Sequence, residues 1–184
     1  MNKEGKVRKA FFLAVLISIF CMSGYVSAEG PHKYVGVKKC AMCHKSESKG
    51  NQYGQWLSSA HAKAYERLAS PEAQESAKKR GITGNPQEAP QCVKCHVTGF
   101  GEDAGLFTDS FVKTDGVQCE ACHGAGSDYL ALSVMKDRAR AVQAGLIIPT
   151  KELCIKCHNP ESPNYKEFNY DKYYPLIAHS RPKQ

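Results

Sequence analysis

The chain has 184 residues and a formal net charge of +7 at pH 7, with 23% charged and 42% hydrophobic residues. This length predicts one domain, or two small ones at most. No basic motif with interleaved aromatic residues appears, so we expect no nucleic-acid partner.

The N-terminal segment has the three parts of a secretory signal peptide. Basic residues come first, at Lys3, Lys6, Arg8 and Lys9. A short apolar run over residues 10–22 follows, and the small-residue pattern Val-Ser-Ala at 26–28 comes after it. The alternative, an uncleaved membrane anchor, needs ~20 apolar residues. We therefore predict that residues 1–28 are a cleaved signal peptide and that the chain is exported, to the periplasm or alternatively to the outer surface.

The first predicted helix of the mature domain, over residues 52–69, carries an unusual apolar face. Apolar and small residues recur there at helical spacing, at Leu57, Ala60, Ala64 and Leu68. His61 lies in the middle of this face. Taken alone, such a histidine is usually a hydrogen-bonded core residue.

Further short elements follow along the chain. Ser70 as N-cap, Pro71 at the first helical position and Gly81 just past the end predict a helix over residues 71–80. Residues 106–117 are a candidate hairpin. A helix over residues 135–144 should stop at Gly145, and the stretch PTKELCIKCHN predicts a short helix near its cysteines.

Eight of the nine cysteines occupy four identical frames, and the ninth, Cys21, lies in the signal segment. The frames are CAMCH at 40–44, CVKCH at 92–96, CEACH at 119–123 and CIKCH at 154–158. Cys-x-x-Cys-His is the attachment motif for c-type haem: the thiols add to the haem vinyl groups, and the histidine binds the iron. The motif cysteines are Cys40, Cys43, Cys92, Cys95, Cys119, Cys122, Cys154 and Cys157, and the proximal histidines are His44, His96, His123 and His158.

Disulfide formation and zinc binding are the two alternatives to haem attachment for these cysteines. An exported protein with eight cysteines can form four disulfides, and four Cys-x-x-Cys pairs can form two Cys₄ zinc sites. Neither explains a histidine after all four pairs, nor the absence of a spare cysteine in the mature chain. The pattern therefore favours four covalently attached haem c groups.

Four haems in the 156 residues that remain of 184 after the first 28 would fill much of the interior. The predicted fold class is accordingly mainly α with much irregular loop, a compact multihaem cytochrome in which haems form much of the core. Residues 29–184 would form this single tetrahaem cytochrome c domain.

Each iron also needs a sixth ligand, and the mature chain offers few candidates. Three histidines lie outside the motifs, His32, His61 and His179. With four irons present, His61 is better interpreted as a ligand than as a core residue, because its alanine neighbours let a flat macrocycle approach. His179 is a second candidate, and His32, near the mature N-terminus, is a weaker one.

Methionine is the usual alternative sixth ligand. Met135 is the only methionine of the mature chain that lies outside a haem motif. Its competing role is to fill a gap in the core, and the sequence leaves both roles open.

Several stretches together resemble the tetrahaem cytochrome c-554 family. They are GVKKCAMCHK, AHAKAYERL, CVKCHVTGFG and GVQCEACHGAG, in this order, and the resemblance covers residues 34–180. It implies closely packed haems, several with two histidine ligands and one five-coordinate. The best-known member of that family carries electrons away from hydroxylamine oxidoreductase.

The resemblance also implies ligand assignments. His61 and His179 match distal histidines of the family, whereas the family's distal histidine after the third motif is missing here, and Met135 is its natural substitute. The haem on Cys92 and Cys95 corresponds to the five-coordinate one. His32 has no counterpart, so it either caps that haem or leaves it open.

Three functions follow as expectations. The first is a periplasmic or cell-surface electron carrier between redox partner proteins, among them a membrane-associated quinol oxidase complex or outer-surface cytochromes. The second is a reductase of nitric oxide, nitrite or hydroxylamine at an open haem. The third is a subunit of a self-assembled filament in which His32 reaches an iron of the next subunit. The short chain and the four complete motifs favour the carrier over the enzyme.

Overall fold

The structure is a computed structural model that describes residues 30–179. Within that range the fold consists of ten short α-helices, four 3₁₀ turns and long connections, with no strand. The helices are α1 (Val37–His44), α2 (Gln52–Leu57), α3 (Ala64–Arg67), α4 (Pro71–Lys79), α5 (Pro90–His96), α6 (Cys119–His123), α7 (Leu132–Met135), α8 (Arg138–Gln143), α9 (Lys151–Cys154) and α10 (Tyr170–Tyr173). The predicted mainly α class with much irregular loop is confirmed. The predicted signal peptide lies outside the described residues.

The helix predicted over residues 71–80 is confirmed as α4. The Ser70 side chain accepts a hydrogen bond from the Ala73 N–H at 3.2 Å, and Pro71 occupies the first turn. Gly81 follows with φ +68°, in the left-handed region that a glycine adopts most readily. All three sequence signals therefore act as predicted.

The single helix predicted over residues 52–69 is wrong, because α2 ends at Leu57 and α3 begins only at Ala64. The Ser58 and Ser59 hydroxyls donate to the carbonyls of Gln55 and Trp56, at 2.9 and 2.7 Å. Serine side chains that bond to nearby backbone in this way compete with helix continuation. His61 consequently lies in a turn rather than on a continuous helix.

The candidate hairpin over residues 106–117 is also wrong. Phe107 instead forms an isolated parallel bridge with Tyr34. The Tyr34 N–H donates to the Leu106 carbonyl at 2.7 Å, and the Thr108 N–H donates to the Tyr34 carbonyl at 3.0 Å. The Tyr34 and Phe107 rings stack with their centres 5.2 Å apart, so this segment pairs with the start of the domain.

The helix predicted over residues 135–144 is divided into α7 and α8. Asp137 causes the division, because its carboxylate caps α8 by accepting the Ala139 and Arg140 N–H groups. Gly145 follows α8 with φ +97°, so the predicted stop is confirmed while the predicted start is wrong. The short helix predicted near the fourth motif is confirmed as α9.

A small apolar cluster joins α3 and α5. Leu68, Val93 and Val97 are buried against one another, with Tyr65 and Cys92 packed on them. This contact places the second motif beside the turn that carries His61. Among residues 30–179, no helix combines the length and apolar character needed to cross a bilayer.

Candidate haem-binding sites

The first three motifs lie at the ends of short helices. In α1, α5 and α6 the last helical residue is the motif histidine. The fourth motif begins at the last residue of α9, and the N–H groups of Cys157 and His158 both bond to the Cys154 carbonyl, at 3.2 and 3.0 Å. Positions i, i+3 and i+4 of a helical turn share one face, so each motif directs its two thiols and its imidazole to the same side. Within residues 30–179, none of the eight motif cysteines forms a disulfide.

Three motif histidines have Nδ1 engaged by an acceptor. The Nδ1 of His96 donates to the Ala64 carbonyl at 2.6 Å, and that of His123 donates to the Ile147 carbonyl at 3.1 Å. The Nδ1 of His44 lies 3.1 Å from the side-chain oxygen of Gln52. Metal-binding histidines are usually oriented through such a bond, which leaves Nε2 for the metal.

The fourth motif histidine is oriented by an aromatic ring. Phe168 stacks on His158, with the two ring centres 4.7 Å apart and the planes inclined by 15°. Tyr173 continues this column, 5.9 Å beyond Phe168. The segment that precedes α10, together with α10 itself, thus fixes the plane of this imidazole.

Two candidate distal histidines lie close to motif histidines. The ring centre of His61 is 6.1 Å from that of His158, and the ring centre of His179 is 5.7 Å from that of His123. Two imidazoles that bind one metal from opposite sides, through bonds of roughly 2 Å, have ring centres about 6 Å apart. Burial, and then the nearby His158, lowers the pKa of His61, so its imidazole is neutral as a ligand must be. These residues therefore fit two bis-histidine haems.

The turn that carries His61 is held by the segment before the third motif. The Val117 N–H donates to the His61 carbonyl at 3.1 Å, and the Trp56 ring N–H donates to the Val117 carbonyl at 2.7 Å. Gly116 has φ +79°, and a Cβ built on it would lie 2.8 Å from the His61 carbonyl oxygen. Glycine is thus required for the close approach of these two segments.

The other two candidate ligands have less specific surroundings. Met135 is the half-buried last residue of α7. The Nδ1 of His32 bonds to the Asp128 carboxylate, and a Cβ built on Gly145 would lie 2.8 Å from the His32 Nε2. The Nδ1 of His32 is therefore bonded within its own chain, and its Nε2 lies over Gly145.

The thiols show which motifs are neighbours in space. A hydrogen bond with Cys119, followed by burial, raises the pKa of Cys40. Partial burial and the Cys95 thiol raise the pKa of Cys157 to about 12. Burial and the Cys154 thiol raise the pKa of Cys122 to about 11. The first motif therefore lies near the third, and the fourth lies near both the third and the second.

Two buried polar residues around the third motif were not identified from the sequence. Gln118 and Glu120 are only 1% and 2% exposed. The Gln118 side chain accepts the Val37 N–H at 2.8 Å and donates to the Val112 carbonyl at 2.9 Å. One signal was present, because Glu120 is the only acidic residue inside any of the four motifs.

Apolar side chains are distributed as a protein with large apolar cofactors requires. The buried apolar residues of the described range are few and mostly small: Val35, Val37, Ala64, Leu68, Ala77, Val93, Val97, Tyr129 and Ala141. By contrast, large side chains such as Met42 and Leu176 are 72% and 76% exposed. This distribution fits apolar surface that porphyrin faces would cover.

Comparison with known proteins gives two matches. Residues 39–124 match the family described as cytochrome c554 and c-prime. A curated cytochrome c-554 from Nitrosomonas europaea is 34% identical over 150 residues, which is 77% of this chain and 59% of that protein. The chain thus spans less than two thirds of the length of this relative. No solved structure matches the chain. Both matches agree with the family that the motifs resemble, and the chain belongs to the cytochrome c554 family.

Proposed function

We propose that this protein is an exported tetrahaem c-type cytochrome that transfers single electrons between redox partner proteins. The observation that carries this proposal is the set of four Cys-x-x-Cys-His motifs. Three of the four motif imidazoles are oriented through Nδ1. Two of the four lie close to a second imidazole. The similarity to a cytochrome c-554 supports it.

The proposed ligand assignment follows the ring distances. His158 and His61 hold the haem of the fourth motif, and His123 and His179 hold that of the third. By elimination we assign Met135 to the iron of His44, because His61 and His179 are assigned to two other irons and the family resemblance leaves the iron of His96 open. When bound, each haem supplies a one-electron iron couple.

The order of the motifs in space supports transfer along the molecule. In this proposal the first and second motifs are the two ends of a series, and the third and fourth are its middle members, because neighbouring motifs pair as first with third, third with fourth and fourth with second. The chain's contribution is to hold neighbouring attachment sites close together through short helices. One end would accept electrons from a donor protein, and the other would deliver them to an acceptor.

The proposed location and partners follow from the predicted signal peptide. We place the mature chain, from residue 29, in the periplasm. Its partners there would be other redox proteins, such as a membrane-associated quinol oxidase complex, or outer-surface cytochromes if the chain is carried further. Self-assembly through His32 is less favoured, because its Nδ1 bonds to Asp128 and its Nε2 lies over Gly145 of the same chain.

The second candidate function is a reductase, and one observation favours it. His32 lies among residues near the third motif, and this supports a haem of the second motif with His96 as its only protein ligand. Such an iron would bind a small nitrogen compound. We propose that this binding is incidental to electron transfer.

The test separates these functions by turnover. Nitric oxide, nitrite and hydroxylamine are added separately to the fully reduced protein, and reoxidation is followed by stopped flow. A carrier binds nitric oxide at one haem and turns over slowly with all three compounds. Repeated turnover at roughly 1–1000 per second, as enzymes show, would contradict the carrier proposal. The matched control, His32→Ala, should bind nitric oxide as the unmodified protein does.

A further inference from the structure

Glu120 is a buried carboxylate inside the third haem motif, between Cys119 and Cys122. It is 2% exposed, and its two oxygens accept three backbone hydrogen bonds. The donors are the N–H groups of Val35 at 2.8 Å, Gly36 at 2.7 Å and Gly126 at 2.8 Å. Three backbone N–H groups directed at one carboxylate form a site that is suited to a negative charge.

The backbone around Glu120 is shaped to accept it. A Cβ built on Gly126 would lie 3.0 Å from a Glu120 oxygen, and one built on Gly36 would lie 2.8 Å from the Ser110 carbonyl oxygen. Larger residues at either position would therefore disturb this site. Within residues 30–179, no Lys, Arg or His side chain forms an ion pair with Glu120. The partners of its oxygens in this range are N–H dipoles, and a buried charge that lacks a counter-ion acts strongly on its neighbours.

The surroundings of Glu120 include residues next to both the first and the third motif. Burial, and next the charge of Glu120, raises the pKa of Tyr129, whose hydroxyl donates to the Gly124 carbonyl at 2.6 Å. Val35 and Gly36, which donate to Glu120, immediately precede α1 and its motif.

We propose that Glu120 is a positioning residue that joins the first haem motif to the third and, through its fixed negative charge, lowers the reduction potentials of the haems held there. The proposal rests on the proposed tetrahaem function. A buried negative charge stabilises ferric over ferrous iron, because net charge and burial near an iron centre set its potential. Glu120 would thereby make the reduction potentials of the first and third haems lower, relative to those of the second and fourth haems, than they would be without it.

The test replaces the charge and measures all four potentials. Glu120→Gln keeps the size and removes the charge, and we expect at least one of the first and third haems to favour its ferrous form tenfold more, a rise of about 59 mV for one electron. Glu120→Asp keeps the charge and should restore potentials close to those of the unmodified protein. The matched control is Glu152→Gln, which makes the same charge change at an exposed residue two positions before Cys154. Water should screen that change and leave all four potentials almost unmoved.

A further variant separates charge from tethering. Gln118→Met removes the neighbouring bond to the Val37 N–H without changing the charge. If tethering alone mattered, Gln118→Met and Glu120→Gln would raise the same potentials equally, and this result would overturn the proposal. Unshifted potentials in a four-haem Glu120→Gln protein would also overturn it.

Haem content decides which proposal has failed. If the unmodified protein lacks four haems, the proposed function is contradicted, whereas unshifted potentials in a four-haem variant contradict the role of Glu120 alone. If no variant at position 120 acquires four haems, the unmodified protein is labelled with carboxyl-¹³C glutamate and examined by redox-difference infrared spectroscopy. A shifted band of an ionised glutamate would support the proposal, and the absence of any such band would overturn it.

Discussion

At the scale of single residues, the surroundings of a histidine decide its role. His61 combines a small-residue environment in the sequence, a half-buried position and a ring distance of 6.1 Å to His158. His32 is bonded to Asp128 instead. The residue type alone could not distinguish these two histidines, because the difference lies in contacts between distant parts of the chain.

The variant His61→Ala should retain four covalent haems and convert one low-spin iron to high-spin, because it removes one axial imidazole and no thiol. Electron paramagnetic resonance and the visible spectrum of the oxidised protein measure this change. His32→Ala is the control and should leave both spectra as they are. Unchanged spectra in His61→Ala would mean that this histidine merely packs in the interior.

Met135→Leu keeps the side-chain volume and removes the sulfur. If the thioether binds the iron of His44, the charge-transfer band at the red edge of the ferric spectrum disappears and the highest of the four potentials falls, because methionine ligation raises the potential. A redox titration measures the fall. The assignment of Met135 is wrong if the titration of the variant superimposes on that of the unmodified protein.

At the scale of elements, local signals predicted helix ends better than helix continuity. Ser70, Pro71 and Gly81 were sufficient for α4, since each acts within a few residues of its own position. The apolar period over residues 52–69 was misread, because Ser58 and Ser59 bond to the preceding turn and end α2. The bridge between Tyr34 and Phe107 could not be predicted, since its partners lie 73 positions apart.

The close approach of Gly116 to the His61 turn gives a prediction about this element. Gly116→Ala adds a Cβ 2.8 Å from the His61 carbonyl oxygen, at a residue with φ +79°. Gly101→Ala is the matched control, because Gly101 has φ +85° and nothing within 4 Å of the added carbon. The backbone of Gly116, with φ 79° and ψ −142°, lies in a region almost restricted to glycine, which costs another residue about 1–3 kcal/mol before any contact is counted.

We therefore expect Gly116→Ala to lower Tm by more than Gly101→Ala does. In a chain of this size, each kcal/mol lost from the free energy of unfolding lowers Tm by ~2–4 °C. Thermal unfolding of the oxidised proteins, monitored by circular dichroism, measures both. Equal Tm values for the two variants would show that the segment before the third motif does not support the His61 turn.

At the scale of the whole molecule, the repeated motif predicted more than any periodicity did. Four frames of five residues implied a mainly α fold with much loop, because cofactors that occupy the interior leave little polypeptide for long elements. The spatial order of the motifs was beyond the sequence. It depends on contacts such as Cys40 with Cys119, which long connections bring together.

The central claim is that the mature chain holds four haems through thioether bonds, and intact-mass spectrometry of the purified protein tests it most directly. We predict a single species that begins at Glu29 and has the mass of the chain plus four haems. A species with three haems or fewer, or one that retains Cys21, would contradict this account.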